Sequence, residues 1–155
     1  MQGMKILLLN GPNLNMLGQR EPDIYGTDTV DDIVERVQKR AAELGAEVLD
    51  LQSNHEGALI DFIQTHQVTA DAIIINPGAF GHYSYAIRDA ITGSRLPTYE
   101  VHISNVHARE SFRETMVLSA VCKGVITGFG WRGYLYALEA AVAEIKDRGT
   151  PPDPR

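Results

Sequence analysis

Two hydrophobic periods alternate along this chain. A short apolar run over residues 5–9 opens it and reads as a buried strand. Over residues 30–44, Val30, Ile33, Val34, Val37, Ala41 and Leu44 recur at helical spacing. Thr29 with Asp32 three residues later supplies an N-terminal cap, and Gly45 a stop. Residues 46–52 read as a second strand. Ser53 followed by Glu56 has the form of a capping box before a helix carrying Leu59, Phe62 and Ile63. The β-branched run at 71–75 reads as a central strand covered on both faces. Beyond it the pattern predicts a helix over 83–92 ended by Gly93, a strand over 97–103, a helix over 109–119 and a fifth strand over 123–127. A last helix over 131–147 gathers Trp131, Tyr134, Leu135, Leu138, Ala141, Val142 and Ile145 on one face.

Strands that alternate with helices imply right-handed βαβ units and a parallel sheet sandwiched between helices. At this length the expected architecture is α/β and flavodoxin-like, with strand order 2-1-3-4-5. Ligands in such folds bind beyond the carboxyl ends of the strands, where the order reverses between strands 1 and 3. One domain over 1–148 is expected. The tail over 149–155 holds three of the seven prolines and reads as frayed.

Composition narrows the partners. A net charge of -6 over 155 residues is a poor footprint for nucleic acid. No apolar stretch approaches the ~20 residues of a membrane helix, and the opening run is too short for a secretory signal. The single cysteine, Cys122, allows no intrachain disulfide. The expected setting is soluble and reducing, hence cytoplasmic.

The chemistry-bearing residues fall at the predicted carboxyl ends. About 20 residues separate the first strand from the next helix, against the roughly 2–6 usual for such a loop. The loop contains Asn13, Arg20 and Tyr25 together with Leu14, Met16, Leu17 and Ile24, so it reads either as a lid or as an Ω-loop packed on itself. After the third strand comes Asn76-Pro77-Gly78-Ala79-Phe80-Gly81-His82, a backbone-accessible loop or a plain turn. On the fourth strand Glu100 and His102 share a face, with His102 near the end. A carboxylate beside an imidazole orients it and favours its protonated form, as a general acid requires; a buried pair with no other task has the same spacing. Arg109 and Arg113 stand at i, i+4. They could clamp a carboxylate or pair on the surface with Glu110 and Glu114.

The inventory argues against several chemistries. The five histidines form no HxxxH or HExxH pattern, and neither a dinucleotide nor a P-loop glycine motif follows the first strand. Asn76 stands where a phosphoacceptor aspartate would have to be. Cys122 precedes the fifth strand and reads as a small buried hydrophobe. The four lysines lie at strand amino ends (Lys5, Lys123) or in helices (Lys39, Lys146), away from the expected site. What remains is acid–base work by Tyr, His and Arg on a small anion. A phenol with a pKa near ~10 needs a nearby cation to act as a base, and Arg20 could supply it.

The segment Leu14-Asn15-Met16-Leu17-Gly18-Gln19-Arg20-Glu21-Pro22-Asp23-Ile24-Tyr25-Gly26 resembles the signature LNxLGxREPxxYG of the type II 3-dehydroquinate dehydratases. The segments Asn76-Pro77-Gly78-Ala79, Glu100-Val101-His102-Ile103-Ser104-Asn105 and His107-Ala108-Arg109-Glu110-Ser111-Phe112-Arg113 agree, as do Gly128-Phe129-Gly130 and Gly133-Tyr134. The resemblance implies trans elimination of water from 3-dehydroquinate through an enolate, with no cofactor, metal or Schiff base. It implies Tyr25 as the base, Arg20 as the cation that favours its phenolate, and Asn13 as a group that helps hold the enolate. His102, oriented by Glu100, would protonate the departing hydroxyl. Asn76, His82, Asp89, Arg113 and the Ile103 and Ser104 amides would bind the substrate, and Arg109 would support the lid. A dodecamer of four trimers is implied in the same way. Ser111 and Thr115-Met116 depart from many members, and no change of chemistry is expected from them. The same step serves shikimate biosynthesis and quinate breakdown. Two rivals are a non-catalytic module that binds a small anion and an FMN-binding electron carrier.

Overall fold

The computed structural model describes residues 3–19, 23 and 27–148. Arg20, Tyr25 and the tail over 149–155 lie outside the described residues. Five parallel strands, β1 (Met4–Asn10), β2 (Ala46–Gln52), β3 (Ala72–Asn76), β4 (Thr98–His102) and β5 (Gly124–Thr127), form one sheet in the order 2-1-3-4-5. Among the described residues, four helices cover it: α1 (Val30–Glu43), α2 (Glu56–His66), α3 (Tyr85–Ser94) and α4 (Arg132–Asp147). This is the expected flavodoxin-like arrangement.

Side-chain alternation divides the core in two. Ile6 and Leu8 of β1, Ile74 of β3 and Val101 of β4 face α1 and α4, meeting Ile33, Val37, Tyr134 and Leu138. Leu7, Leu9, Ile73 and Ile75 face α2 and α3, meeting Leu59, Ile63, Ile87 and Ile91. Both faces of β1 and β3 are buried, which is why their sequences are unbroken apolar runs. The first half of the long loop is anchored, because Leu14 and Leu17 enter the α1 side of the core.

Helix starts and stops agree only in part with the sequence. The Thr29–Asp32 capping box forms, and Gly45 adopts φ 81 after α1. The Ser53–Glu56 box does not. Ser53 Oγ accepts from His55 N at 3.0 Å, His55 is the N-cap of α2, and the Glu56 carboxylate accepts instead from the Ser84 hydroxyl at the start of α3. Gly93 does not stop α3; the helix runs to Ser94 and the left-handed residue is Arg95, φ 60. The expected helix over 109–119 is replaced by short 3₁₀ turns at Val106–Ala108, Ser111–Glu114 and Ser119–Val121. Its backbone is committed elsewhere. Val117 N donates to Gly81 O at 2.8 Å, and Thr115 O accepts from the His82 ring, so an α-helical ladder cannot close.

Candidate active site

β1 and β3 diverge into separate loops where the strand order reverses, and these loops lie back to back. Gly11 N donates to Asn76 O at 2.8 Å. A Cβ added at Gly11 would stand 2.2 Å from the Pro77 carbonyl oxygen, so only glycine permits this approach. Gly11→Ala is therefore expected to force the two loops apart, at about 1–3 kcal/mol or more, and to lower activity with it. Chemical denaturation and turnover measured on the same preparation check this; an unchanged unfolding midpoint would show that the loops yield freely.

A cleft opens beyond these loops. Its walls are Pro12, Asn13, Leu14 and Leu17 from the first loop, Asn76, Gly78 and Ala79 from the second, His102, Ile103, Ser104 and Val106 after β4, and Arg109 and Arg113. Eight of the predicted residues thus surround or border one space: Asn13, Asn76, His102, Ile103, Ser104, Arg109 and Arg113 line it, and Glu100 stands directly behind His102. The arginines reach it by a route the sequence did not foresee. They share no helix face; Arg109 closes one 3₁₀ turn in extended conformation and Arg113 lies in the next. Arg113 Nε also pairs with Glu110 at 3.2 Å, and Arg109 Nη1 donates to Ser104 Oγ at 3.3 Å. The surface-pairing alternative is thus present with Glu110, while both arginines also line the cleft.

Glu100 is fully buried and His102 nearly so. His102 Nε2 donates to Glu100 Oε2 at 2.5 Å, while Ser119 Oγ donates to Glu100 Oε1 at 2.7 Å. Each carboxylate oxygen has a donor, so a buried carboxylate is satisfied. With Nε2 given to the carboxylate, Nδ1 is the ring nitrogen left to exchange a proton with a ligand. Ser119 was not found by sequence reasoning, because a partner 19 residues from Glu100 gives no spacing signal; the turn at Ser119–Val121 carries it to β4.

His82 does not line the cleft but packs beside His102, ring centroids 6.1 Å apart. Its Nδ1 lies 2.8 Å from Thr115 O. A carbonyl only accepts, so Nδ1 carries the proton and Nε2 is an acceptor. Burial holds the His82 pKa below its ordinary value; the bond to Thr115 works against this, and the charges of His102 and Arg113 add to it. The unfolded chain therefore takes a proton near pH ~6.5 and the folded chain resists it, so stability declines as pH falls through that value and levels off below the folded pKa. Urea midpoints at pH 7.5 and 5.5 should fall further for the wild type than for His82→Gln. Equal falls would assign the acid sensitivity to other groups.

Asp89 stands apart. It is exposed on α3 and lines a separate surface cavity with Ile60, Gln64 and Gln67, so within this chain it does not join the cleft. Cys122 is half-buried, and burial pushes its thiol up to about 12, which leaves it protonated. Among the described residues no group of three or more His, Cys, Asp or Glu side chains could hold a metal ion. None of the described helices is long and apolar enough to cross a membrane.

Comparison with known proteins agrees in sequence and in shape. The family described as dehydroquinase class II matches residues 4–142. The 3-dehydroquinate dehydratase of Roseiflexus castenholzii is 57% identical over 136 residues, 88% of this chain and 87% of that one. That of Lachnospira eligens is 57% identical over 141 residues, 90% of this chain and 96% of its own. Among solved structures, the type II dehydroquinase of Butyrivibrio crossotus superposes with a TM-score of 0.87 at 49% identity, covering 90% of this chain and 97% of that one. A 3-dehydroquinate dehydratase-like protein from Bifidobacterium longum is more distant, with a TM-score of 0.69 at 29% identity.

Proposed function

This chain belongs to the dehydroquinase class II family and is a lyase that dehydrates 3-dehydroquinate, and we propose how its residues divide that work. The reaction is a trans elimination through an enolate that yields 3-dehydroshikimate, in the shikimate pathway or in quinate breakdown. Tyr25, as phenolate beside Arg20, removes the proton next to the ketone. Asn13 helps to hold the enolate, and His102 protonates the departing hydroxyl. The observation that carries this reading is the Ser119–Glu100–His102 chain, its carboxylate and imidazole buried, at the rim of a cleft that also holds two arginines.

A group that donates a proton to a leaving oxygen must be held at one angle and resupplied after each turnover. Glu100 does the first by its 2.5 Å bond to Nε2. Arg113 and Arg109, at the mouth, attract a carboxylate. Asn76 and the Ile103 and Ser104 amides address ring hydroxyls, and His82, which stands behind the cleft wall beside His102, keeps its proposed substrate-binding role from the resemblance. Asp89, remote from the cleft of its own chain, keeps a proposed substrate-binding role only from the resemblance.

Mixing the protein with 3-dehydroquinate and following the absorbance of the conjugated enone tests the function directly. A rise proportional to enzyme is expected, and no rise would overturn it. We also read the assembly as a dodecamer of four trimers in the cytoplasm. The exposed Val125 on edge strand β5 and the exposed, edge-on pair Phe129–Tyr136 support an associating surface.

A further inference from the structure

We infer that Tyr134 is a positioning residue: its buried hydroxyl sets which way the Asn76 amide faces the cleft, and so how the substrate's oxygen atoms are held. This rests on the dehydratase reading above.

The Gly133-Tyr134 segment is part of the family resemblance, yet the roles assigned so far leave it without a task. Tyr134 lies on the first turn of α4 with no exposed surface. Its hydroxyl reaches the carboxyl ends of β1 and β3, where Asn10 and Asn76 are partners in register. Three hydrogen bonds then run in one direction. Gly78 N–H can only donate, and at 3.2 Å it claims Asn76 Oδ1. That turns Asn76 Nδ2 to Tyr134 Oη, 2.8 Å away, which accepts. The tyrosine proton is left to go to Asn10 Oδ1 at 2.6 Å. Burial pushes the Tyr134 hydroxyl pKa up, so that proton stays.

The polarity has two consequences. Nδ2 of Asn76 spends one hydrogen on Tyr134 and keeps a second for the cleft that Asn76 lines. It must therefore act as a donor, toward a substrate hydroxyl or carboxylate oxygen. At the far end, Asn10 is wholly buried and its Nδ2 has no partner among the described residues. An amide donor left bare in a core is unfavourable, and a core selected for stability alone would place an apolar side chain there. The bare donor is what the one-way chain leaves over once the direction of Asn76 is set.

The test is a double-mutant cycle with 3-dehydroquinate, read as kcat/KM. Asn76→Ala should lose about tenfold or more, and Tyr134→Phe about 3–10-fold, mostly through KM. Because the tyrosine acts through Asn76, the double variant should lose no more than Asn76→Ala alone, within about twofold. Losses that multiply would overturn the inference. So would a Tyr134→Phe enzyme that melts earlier with kcat/KM intact, the outcome of a purely structural role. Should Tyr134→Phe fail to fold, Asn10→Leu removes the acceptor of the tyrosine proton and is judged by the same cycle, with an expected loss of about threefold. A wild-type protein inert toward 3-dehydroquinate is a different failure: it overturns the dehydratase reading, and this inference with it.

Discussion

His102→Ala is expected to lower kcat by about 10²–10⁴-fold while KM for 3-dehydroquinate moves by less than about tenfold. A hydroxyl leaves poorly unless it is protonated as the bond breaks, and the benefit of that proton exists only in the transition state. The imidazole is held for the purpose, with Nε2 tied to Glu100 and Nδ1 left over. Glu100→Gln separates charge from orientation. The amide keeps the volume of the side chain and removes its negative charge from a fully buried position. If His102 needs the charge to carry its proton, Glu100→Gln should lose nearly as much as His102→Ala. If it needs only a partner to fix its angle, the loss should be far smaller. A His102→Ala enzyme retaining more than about a tenth of wild-type kcat would remove the acid from the mechanism, since general acids contribute at least about 10²-fold.

Tyr25→Phe is the second large effect, a fall in kcat of about 10²–10⁴-fold or more with ligand binding preserved. Phenylalanine keeps the ring and removes only the oxygen that takes the proton. Product binding measured by calorimetry should therefore be near normal while turnover is lost. Weakened binding with kcat intact would make Tyr25 a binding residue and leave the base unassigned. Arg20→Ala tests the companion role. It should depress kcat more than it raises KM, because a cation that favours the phenolate and the developing enolate acts mainly in the transition state.

Much of this was legible in order along the chain. The strands and the apolar helix faces follow from periodicity, because a core-facing residue must recur with the period of its element whatever it packs against; the strand order was expected from the alternation of strands and helices at this chain length. Thr29 and Asp32 close their box since both partners sit within one turn. Glu100 and His102 could be paired for the same local reason, two residues apart on one strand. The motif residues Asn13, Asn76, Arg109 and Arg113 were legible by resemblance and meet at the cleft.

What only the tertiary structure decided depends on competition for backbone and side-chain partners across the fold. Helical spacing over 109–119 lost to the bonds that Thr115 O and Val117 N make with His82 and Gly81. Glu56 left its capping box for Ser84, 28 residues away. Asp89 belongs to a different face of the chain from the cleft, a matter of where α3 points after Ser84 caps it. Ser119 and Tyr134 complete the site through contacts 19 and 58 residues distant in sequence. A sequence states which groups can donate or accept; which of the competing partners each one takes is settled only when the strands and helices have brought them within a hydrogen bond's length.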